Sequence, residues 1–452
     1  MCGIVGIFGD KINFSLEHSI RRMTSTLIHR GPDDSGIWLH KDNFLAFGHQ
    51  RLSILDLSQK GHQPMASECS RFMLTFNGEI YNHISLRKEL EALYLKQNEY
   101  IYKWRGSSDT ETLLACFSSI GIEKTLEKIV GMFALAVWDD KEKKLYLARD
   151  RMGEKPLYFG WSNGNFIFGS ELKALKSSNG FNNSIDRDSL CLYLRHNYIP
   201  APKSIFKNIF KLEAGSFLSL QLSGTSYCPN SQLKSPFSEG SLRIQKYWSL
   251  SDSYNYGKKD AILNEKKAEM LLEEVLREAI ALQSIADVPL GAFLSGGIDS
   301  SLIVSLMQSN STQKVNTFSI GFEDPAYDEA PYAKEVAKHL NTKHTELYLN
   351  WQDALAVVPD LPNLYDEPFA DSSQIPTYLV SRMAREHVKV ALSGDAGDEL
   401  FGGYNRHIRA PSVWRAISFI PKNLRNFCSK SIYQLSPSIL NNLGEILPGN
   451  YK

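Results

Sequence analysis

Neither sign of charge is in excess in this sequence, since its 452 residues include 50 Lys and Arg and 50 Asp and Glu. A chain with no net field gives no electrostatic reason to expect nucleic acid or an anionic membrane as a partner. No apolar run is long enough to span a bilayer, and the first residues lack the basic and apolar regions of a signal peptide. We therefore expect no nucleic-acid partner and no membrane partner.

Closely spaced cysteines are also missing. The six cysteines are scattered and form no C-x-x-C pair: Cys2, Cys69, Cys116, Cys191, Cys228 and Cys428. This scatter argues against a disulfide framework or a zinc site, and for reduced thiols in the cytoplasm. No internal repeat is visible, and the length predicts two or three domains with large cores.

A cysteine directly after the initiator methionine is the first feature that is present. Removal of Met1 would leave Cys2 with a free α-amine beside its own thiol. An α-amine has a reference pKa of about 7.7–8.0, so a useful fraction is a neutral base near pH 7 and can take the thiol proton. The apolar run at residues 4–8 predicts a buried strand that fixes this terminus. These residues alone equally fit a small side chain at the start of a core strand.

Short strands separated by few helices characterise the first half. The strand at residues 72–76 runs into Asn77-Gly78, a dipeptide that by itself most often forms a hairpin turn. A last hairpin is expected at residues 206–220. Many strands with few helices favour two antiparallel sheets covered by helices, an α+β architecture. Further strands are predicted at 36–39, 44–48, 51–55, 132–138, 144–148 and 166–169, and helices at 15–28, 84–95, 110–120 and 186–196.

Six ordered motifs lie within about the first two hundred residues. They are Cys2-Gly3-Ile4-Val5-Gly6, His29-Arg30-Gly31-Pro32-Asp33, Arg51-Leu52-Ser53-Ile54, Phe76-Asn77-Gly78-Glu79-Ile80-Tyr81-Asn82, Ser108-Asp109-Thr110-Glu111 and Arg149-Asp150-Arg151-x-Gly153-x-Lys155-Pro156-Leu157. Together they resemble the class II glutamine amidotransferases, which are N-terminal-nucleophile glutaminases with an αββα fold. Each motif alone has an ordinary explanation, and it is the ordered set that carries the resemblance.

The resemblance implies a role for each motif residue. Cys2 would attack the glutamine side-chain amide and form a thioester, while Asn77 and Gly78 would donate to the developing oxyanion. Arg51 would bind the glutamine α-carboxylate, for which a guanidinium is well shaped. Asp109, with Glu79 nearby, would bind the α-ammonium group. His29 is expected to be a structural loop residue, because the terminal amine already supplies a base.

The second half alternates strands and helices, which predicts a parallel sheet with helices on both faces. An amphipathic helix at residues 267–282 precedes a buried strand at 288–294, and further strands are expected at 315–322, 345–349 and 388–392. Ligands of such sheets bind at the carboxyl ends of the strands. The first of these strands leads into a loop of small residues, Ser295-Gly296-Gly297-Ile298-Asp299-Ser300.

Glycines and hydroxyls in this loop leave backbone N–H groups free to face an anion at a helix N-terminus. It is not the Walker phosphate loop, because no lysine follows. It resembles the loop of the ATP pyrophosphatases, and the alternative is a glycine-rich helix start with no ligand. A second loop, residues 392–404, also follows an apolar strand. The expected nucleotide site comprises Leu294, Ser295, Gly296, Gly297, Asp299, Ser300, Ile320, Ser393 and Gly394.

Asp299 and Asp398 provide one carboxylate in each loop, and oxygen ligands of this kind suit Mg²⁺ on a pyrophosphate. Leu294 and Ile320, at strand ends, are expected to line the adenine. Ser393 and Gly394 are expected to lie near the adenylate. A charge-rich loop is usually only solvated, but here its pairing with the first loop favours a site for ATP and Mg²⁺.

Both halves together resemble the glutamine-hydrolysing asparagine synthetases. We therefore expect two domains joined by a linker or insertion. The glutaminase domain is predicted at 2–214 and the ATP-pyrophosphatase domain at 251–452. The linker or insertion is predicted at 215–250, where residues 221–246 are rich in Ser, Pro and Gly. The resemblance implies that ATP adenylates a carboxylate, aspartate in the name-giving members, and that ammonia from glutamine passes inside the protein and displaces AMP. It also implies pairing as a homodimer.

Two departures leave alternatives open. Asp395 stands where many asparagine-forming members carry Glu, so the acceptor could be another carboxylate, such as a sugar acid or a small metabolite; residues 365–373 are expected near its pocket. The family usually continues beyond the sheet, whereas residues 409–452 hold only two short helical stretches. We therefore keep a third alternative, a truncated member with glutaminase activity or nucleotide binding only.

Overall fold

The structure is a computed structural model of the chain. It describes residues 1–10, 12–96, 102–225, 228–229, 233–325, 328–432, 436 and 438–439. Parts of the predicted linker and most of the chain beyond residue 432 lie outside the described residues.

The first half contains thirteen strands and six helices within its described residues. In chain order they are β1 (Gly3–Phe8), α1 (Leu16–Ser25), β2 (Asp34–Leu39), β3 (Leu45–Arg51), β4 (Met65–Ala66), β5 (Phe72–Ile80), α2 (His83–Lys96), α3 (Asp109–Ile120), α4 (Ile122–Lys128), β6 (Gly131–Asp139), β7 (Lys144–Arg149), β8 (Tyr158–Ser162), β9 (Asn165–Gly169), α5 (Leu172–Lys176), α6 (Arg187–His196), β10 (Ile209–Lys211), β11 (Ser216–Gln221), β12 (Phe237–Glu239) and β13 (Leu242–Lys246).

Two antiparallel sheets face each other in the first half. One has the strand order β10-β8-β9-β1-β3-β2 and the other β12-β13-β11-β7-β6-β5-β4. A core rich in aromatic side chains, including Phe8, Phe47 and Trp138, fills the space between them. Helix α1 packs on the outer face of the first sheet, and α3 packs on the outer face of the second. The four layers form the predicted αββα arrangement.

β1 lies inside the first sheet, hydrogen-bonded to β3 on one side and to β9 on the other. All six of its residues are buried, which explains why its sequence is apolar without alternation. The strand therefore holds the chain terminus at a fixed place beside β3.

Three local predictions in the first half are wrong. Asn77-Gly78 is not a turn, because β5 continues through both residues and pairs with β6 as far as Ile80. Residues 51–55 are not a strand, since β3 ends at Arg51. The expected hairpin at 206–220 does not form, because β10 pairs with β8 and β11 pairs with β7, in different sheets.

The second half is an α/β unit. Its elements in chain order are α7 (Leu250–Gly257), α8 (Glu265–Gln283), β14 (Leu290–Phe293), α9 (Ile298–Ser309), β15 (Asn316–Phe322), α10 (Ala330–Leu340), β16 (Lys343–Leu349), α11 (Trp351–Val357), α12 (Leu361–Leu364), α13 (Gln374–Arg385), β17 (Val390–Leu392), α14 (Gly397–Phe401), α15 (Asn405–Ser418) and α16 (Lys422–Ile432).

The four strands are parallel and ordered β16-β15-β14-β17. This confirms the predicted parallel sheet. β14 and β17 are neighbours, so the two predicted loops, which follow these strands, meet at one edge of the sheet. Across the described part of the chain, no helix combines the length and apolarity that crossing a membrane requires.

The range predicted as a linker is partly structured. β11, β12 and β13 lie within residues 215–250 and pair with one another beside β7 of the second sheet. The predicted domain limits stay a prediction, but this segment of the range continues the first half.

Candidate active sites

Cys2 lies at the start of β1, with its sulfur against the backbone of Leu52. The N–H of Leu52 donates to Sγ at 3.4 Å, and Sγ lies 3.7 Å from the Leu52 carbonyl oxygen. Arg30 Nε donates to the Cys2 carbonyl at 2.8 Å and so holds the backbone. Burial raises the pKa of the Cys2 thiol, so this thiol needs a base before it can act as a nucleophile.

Met1 occupies part of the same cavity. Lys155 Nζ lies 2.7 Å from Met1 Sδ. Burial above all, with smaller contributions from the charges of Arg30 and Lys155, lowers the pKa of the Met1 α-amine to about 5. An amine in these surroundings is a neutral base at pH 7. The cavity has a volume of about 40 Å³, which holds a few water molecules, and removal of Met1 would enlarge it.

The structure brings all six predicted glutaminase residues to this one cavity. They are Cys2, Arg51, Asn77, Gly78, Glu79 and Asp109. They come from four separate segments of the chain, so their convergence is not a consequence of sequence proximity. Their individual roles stay predictions.

Asn77 gives the clearest indication that the cavity binds a polar ligand. Its side chain is buried, and neither Nδ2 nor Oδ1 has a hydrogen-bond partner among the described residues. A buried amide without partners is costly, so an occupant of the cavity is expected to satisfy it. The next residue must be glycine, because a Cβ on Gly78 would fall 2.2 Å from the carbonyl oxygen of Met132 on β6.

Two buried carboxyl groups form the acidic end of the cavity. Asp109 Oδ2 accepts the N–H of Ile80 at 2.9 Å. Burial raises the pKa of Glu79 to about 7, and the neighbouring charge of Asp109 adds to this rise. Burial also raises the pKa of Asp109. A cation bound between the two carboxylates would favour their charged forms, which suits the α-ammonium of an amino acid.

Arg51 leaves the end of β3 and is buried against the following turn. Its guanidinium donates to the carbonyl oxygens of Leu55, Asp56 and Ser58, at 2.5–3.2 Å. A guanidinium has five N–H donors, so these three bonds leave two donors that can bind a ligand. Arg51 therefore both shapes the turn and faces the cavity.

Lys155 was not among the predicted site residues. Its ammonium is buried at the cavity wall, where burial lowers its pKa while Glu154 and Glu79 raise it. Asp150 fixes this loop, since its carboxylate accepts the N–H groups of Met152, Glu154, Lys155 and Phe133 at 2.9–3.1 Å. The signal was present in the sequence, because Lys155 belongs to the last of the six motifs.

His29 lies outside this cavity. Its Nε2 is 3.1 Å from a carboxylate oxygen of Glu171, on an exposed loop. The prediction that it is a structural residue agrees with this position.

The first of the two predicted nucleotide loops is held by its own hydroxyl groups. Ser300 Oγ accepts the N–H of Ser295 at 3.2 Å, and Ser295 Oγ accepts the N–H of Gly297 at 3.3 Å. Gly296 has a φ of +81°, a left-handed conformation that favours glycine. The loop leads directly into α9, so the N-terminus of this helix lies at the loop.

The second loop packs directly on the first. A Cβ on Gly394 would lie 2.7 Å from the Ser300 backbone nitrogen, and one on Gly397 would lie 2.2 Å from Asp299 Oδ2. Asp395 is exposed and its Oδ2 accepts the hydroxyl of Ser393 at 2.9 Å. Asp299 thus faces the loop that carries Asp398, as a shared cation would require, and two carboxylates with phosphate oxygens fit Mg²⁺.

The two residues that were predicted to line the adenine are largely buried. Leu294 is only 2% exposed and packs in the core cluster under the loop, while Ile320 is half-buried in a neighbouring cluster. Their role as adenine contacts stays a prediction.

Residues 365–373 make contacts that the sequence did not indicate. The N–H of Lys173 donates to Asp366 Oδ2 at 2.8 Å, and Lys211 forms an ion pair with Glu367. Ala370 also donates its N–H to the carbonyl oxygen of Asn197 at 2.8 Å. This segment of the second half is therefore docked on the first half.

Comparisons with known proteins assign a family to each half of the chain. Residues 1–230 match the model of the glutamine amidotransferase domain, and residues 271–444 match the model of asparagine synthase. The Bacillus subtilis glutamine-hydrolyzing asparagine synthetases 1 and 3 are 34% and 30% identical, over 94% and 89% of this chain. A Methanocaldococcus jannaschii chain whose name places it in the same group is 37% identical over 95% of this chain.

The chain spans 80% of the M. jannaschii relative and 62% and 63% of the two B. subtilis relatives. The resemblance predicted from the sequence is confirmed by these matches. This chain belongs to the family of glutamine-hydrolysing asparagine synthetases.

Proposed function

We propose that this chain hydrolyses glutamine at Cys2 and uses the ammonia to convert an ATP-activated aspartate into asparagine, releasing glutamate, AMP and pyrophosphate. The observation that carries the proposal is the convergence of Cys2, Asn77, Arg51 and the Glu79–Asp109 pair on one cavity. The two loops that follow β14 and β17 pack on each other at the carboxyl ends of these strands. Ligands of parallel sheets bind at such strand ends, and this supports the nucleotide half of the reaction.

In the glutaminase half, the α-amine of Cys2, exposed once Met1 is removed, takes the thiol proton. The sulfur attacks the side-chain amide carbon, and the oxygen that becomes negative accepts hydrogen bonds from Asn77 Nδ2 and the Gly78 backbone. Donors of this kind typically contribute about 3–4 kcal/mol each. Ammonia leaves, and water then hydrolyses the thioester to glutamate.

In the synthetase half, the acceptor carboxylate attacks the α-phosphorus of ATP and pyrophosphate leaves. Ammonia attacks the acyl adenylate, AMP leaves and an amide remains. The N–H groups of residues 295–300 and the N-terminus of α9 would hold the pyrophosphate. Asp299 and Asp398 would hold Mg²⁺, which would neutralise phosphate charge.

Another acceptor carboxylate is the second candidate. Asp395 is one methylene shorter than the glutamate that the resemblance implies, and its carboxylate bonds to Ser393. A shorter side chain at this point leaves room for a larger acceptor. A panel of carboxylates that includes aspartate and sugar acids, assayed for pyrophosphate release, separates the two candidates.

The first prediction concerns the nucleophile. Cys2→Ala is expected to abolish glutamine-dependent amide formation, because no thioester can form, while synthesis from added ammonia continues. The assay follows AMP, pyrophosphate and amide with each nitrogen source, after mass spectrometry has verified removal of Met1. Cys69→Ala is the matched control, since this exposed thiol lies outside the cavity.

Three results count against the proposal. Loss of ammonia-dependent synthesis in Cys2→Ala contradicts the division into two halves, and ADP as a product contradicts adenylation. Glutamine hydrolysis with no carboxylate-dependent pyrophosphate release supports the glutaminase-only alternative instead.

A further inference from the structure

The glutamine cavity has one wall that depends on the second half of the chain. This wall is the pocket turn, residues 53–58, whose carbonyl groups accept the hydrogen bonds of Arg51. Leu52, Ile54 and Leu55 line the cavity beside Cys2. A change in this turn would move both the Arg51 guanidinium and the lining of the cavity.

The pocket turn adopts a conformation that needs support. Asp56 has a φ of +52°, a left-handed conformation that Asp adopts when its side chain forms local hydrogen bonds. Its own carboxylate holds part of the turn, since Oδ1 accepts the N–H of Ser58 at 3.2 Å and Oδ2 accepts the N–H of Ser107 at 2.9 Å. These contacts come from the first half alone.

The second half supplies two more bonds, both through Asp287. The buried N–H of Asp56 donates to Asp287 Oδ2 at 2.9 Å, and the N–H of Asp287 donates to the carbonyl oxygen of Ile54 at 3.0 Å. Without Asp287, the Asp56 N–H has no described partner. Asp287 itself is exposed, so substitutions there are compatible with folding.

A second anchor lies next to the first. Lys389 Nζ donates to Asp33 Oδ2 at 2.9 Å, and the same oxygen accepts the N–H of Ser53 at 2.8 Å. Lys389 in turn donates its N–H to the carbonyl oxygen of Pro289. Asp287 and Lys389 precede β14 and β17, the two strands that carry the nucleotide loops at their other ends.

We propose that Asp287 is a positioning residue for glutamine, which holds the pocket turn so that Arg51 meets the α-carboxylate of the substrate. The glutamine pocket is thus completed by the second half of the chain. This inference rests on the proposed glutaminase function.

The experiment compares glutamine hydrolysis by the full chain and by three variants, with Met1 removed. Asp287→Ala is expected to raise the KM for glutamine about 5- to 30-fold and to leave kcat within about twofold, since a buried donor loses its acceptor while Cys2 and Asn77 are untouched. Asp287→Asn is expected to keep a near-normal KM, because its amide oxygen accepts the same N–H.

Asp353→Ala is the matched control. Asp353 also accepts a backbone N–H, that of Asn350 at 3.0 Å, but on α11 and within the second half. Its KM is expected to equal that of the unmodified chain. An unchanged KM in Asp287→Ala overturns the inference, as does an equal rise in Asp353→Ala or a loss confined to kcat.

The proposed function fails separately. If the unmodified chain does not hydrolyse glutamine, that function is wrong, and calorimetric binding of glutamine to Cys2→Ala with and without Asp287→Ala still tests the positioning role. Equal affinities of the two proteins overturn it.

Discussion

Glu79 shows what burial does to a single side chain at this site. The residue is 7% exposed, its Oε1 has no hydrogen-bond partner among the described residues, and its pKa rises to about 7. Such a group binds a proton more tightly in the folded chain than in the unfolded chain. It therefore stabilises the fold at low pH and loses that contribution as the pH rises towards 7. A buried group kept at this cost is typical of a binding site.

The prediction at this scale is a pH effect. Glutamine affinity in Cys2→Ala is expected to fall as the pH drops from 8 to 6, because protonated Glu79 no longer attracts the α-ammonium. Glu79→Gln is expected to bind weakly with little pH dependence, and to unfold at a higher temperature at pH 8. Calorimetric titration and thermal unfolding measure both. If glutamine affinity changes with pH as strongly in Glu79→Gln as in the protein that keeps Glu79, another group is responsible for the titration.

At the scale of elements, the correct predictions are those of strands and helices that the local sequence pattern determines. β1 has an unbroken apolar run because it is covered on both faces. In the second half, strands that alternate with helices, such as β14 and α9, correctly indicate a parallel sheet. Asn77-Gly78 was misjudged because dipeptide preference is local, whereas pairing with β6 extends β5 through both residues. The end of β3 was missed because Arg51 turns back on the carbonyl groups that follow it.

The Gly78 position gives a prediction for one strand pair. Gly78→Ala is expected to lower the free energy of unfolding by about 1–3 kcal/mol, because the new methyl group overlaps the Met132 carbonyl oxygen of β6. Glutamine hydrolysis is expected to fall by more than the loss of folded protein explains, since the Gly78 N–H, which we propose as an oxyanion donor, moves. Urea unfolding measures the first effect. Gly257→Ala, where the added Cβ meets open space, is the control, and equal stability of the two variants would contradict the overlap.

At the scale of the whole molecule, the two halves are joined by charges that no sequence pattern indicated. Lys173 pairs with Asp366 and Lys211 pairs with Glu367, although about 150 to 190 residues separate the partners in the chain. These carboxylates were expected near an acceptor pocket. The cavity residues were predictable because each belongs to a motif, whereas docking depends on which surfaces meet after each half has folded.

The docking contact leads to a prediction about ammonia. Glu367→Gln leaves Lys211 buried with a weaker partner, a change that typically destabilises by several kcal/mol. If the pair holds the halves together, ammonia is lost between the sites, and the ratio of glutamate to amide product rises well above one. Synthesis from saturating ammonia continues, because that nitrogen enters from solvent. The ratio is measured by quantifying both products in one reaction.

Glu273→Gln, which removes only an exposed pair on α8, should keep the ratio near one. Failure of Glu367→Gln with ammonia as well would instead place Glu367 at the acceptor.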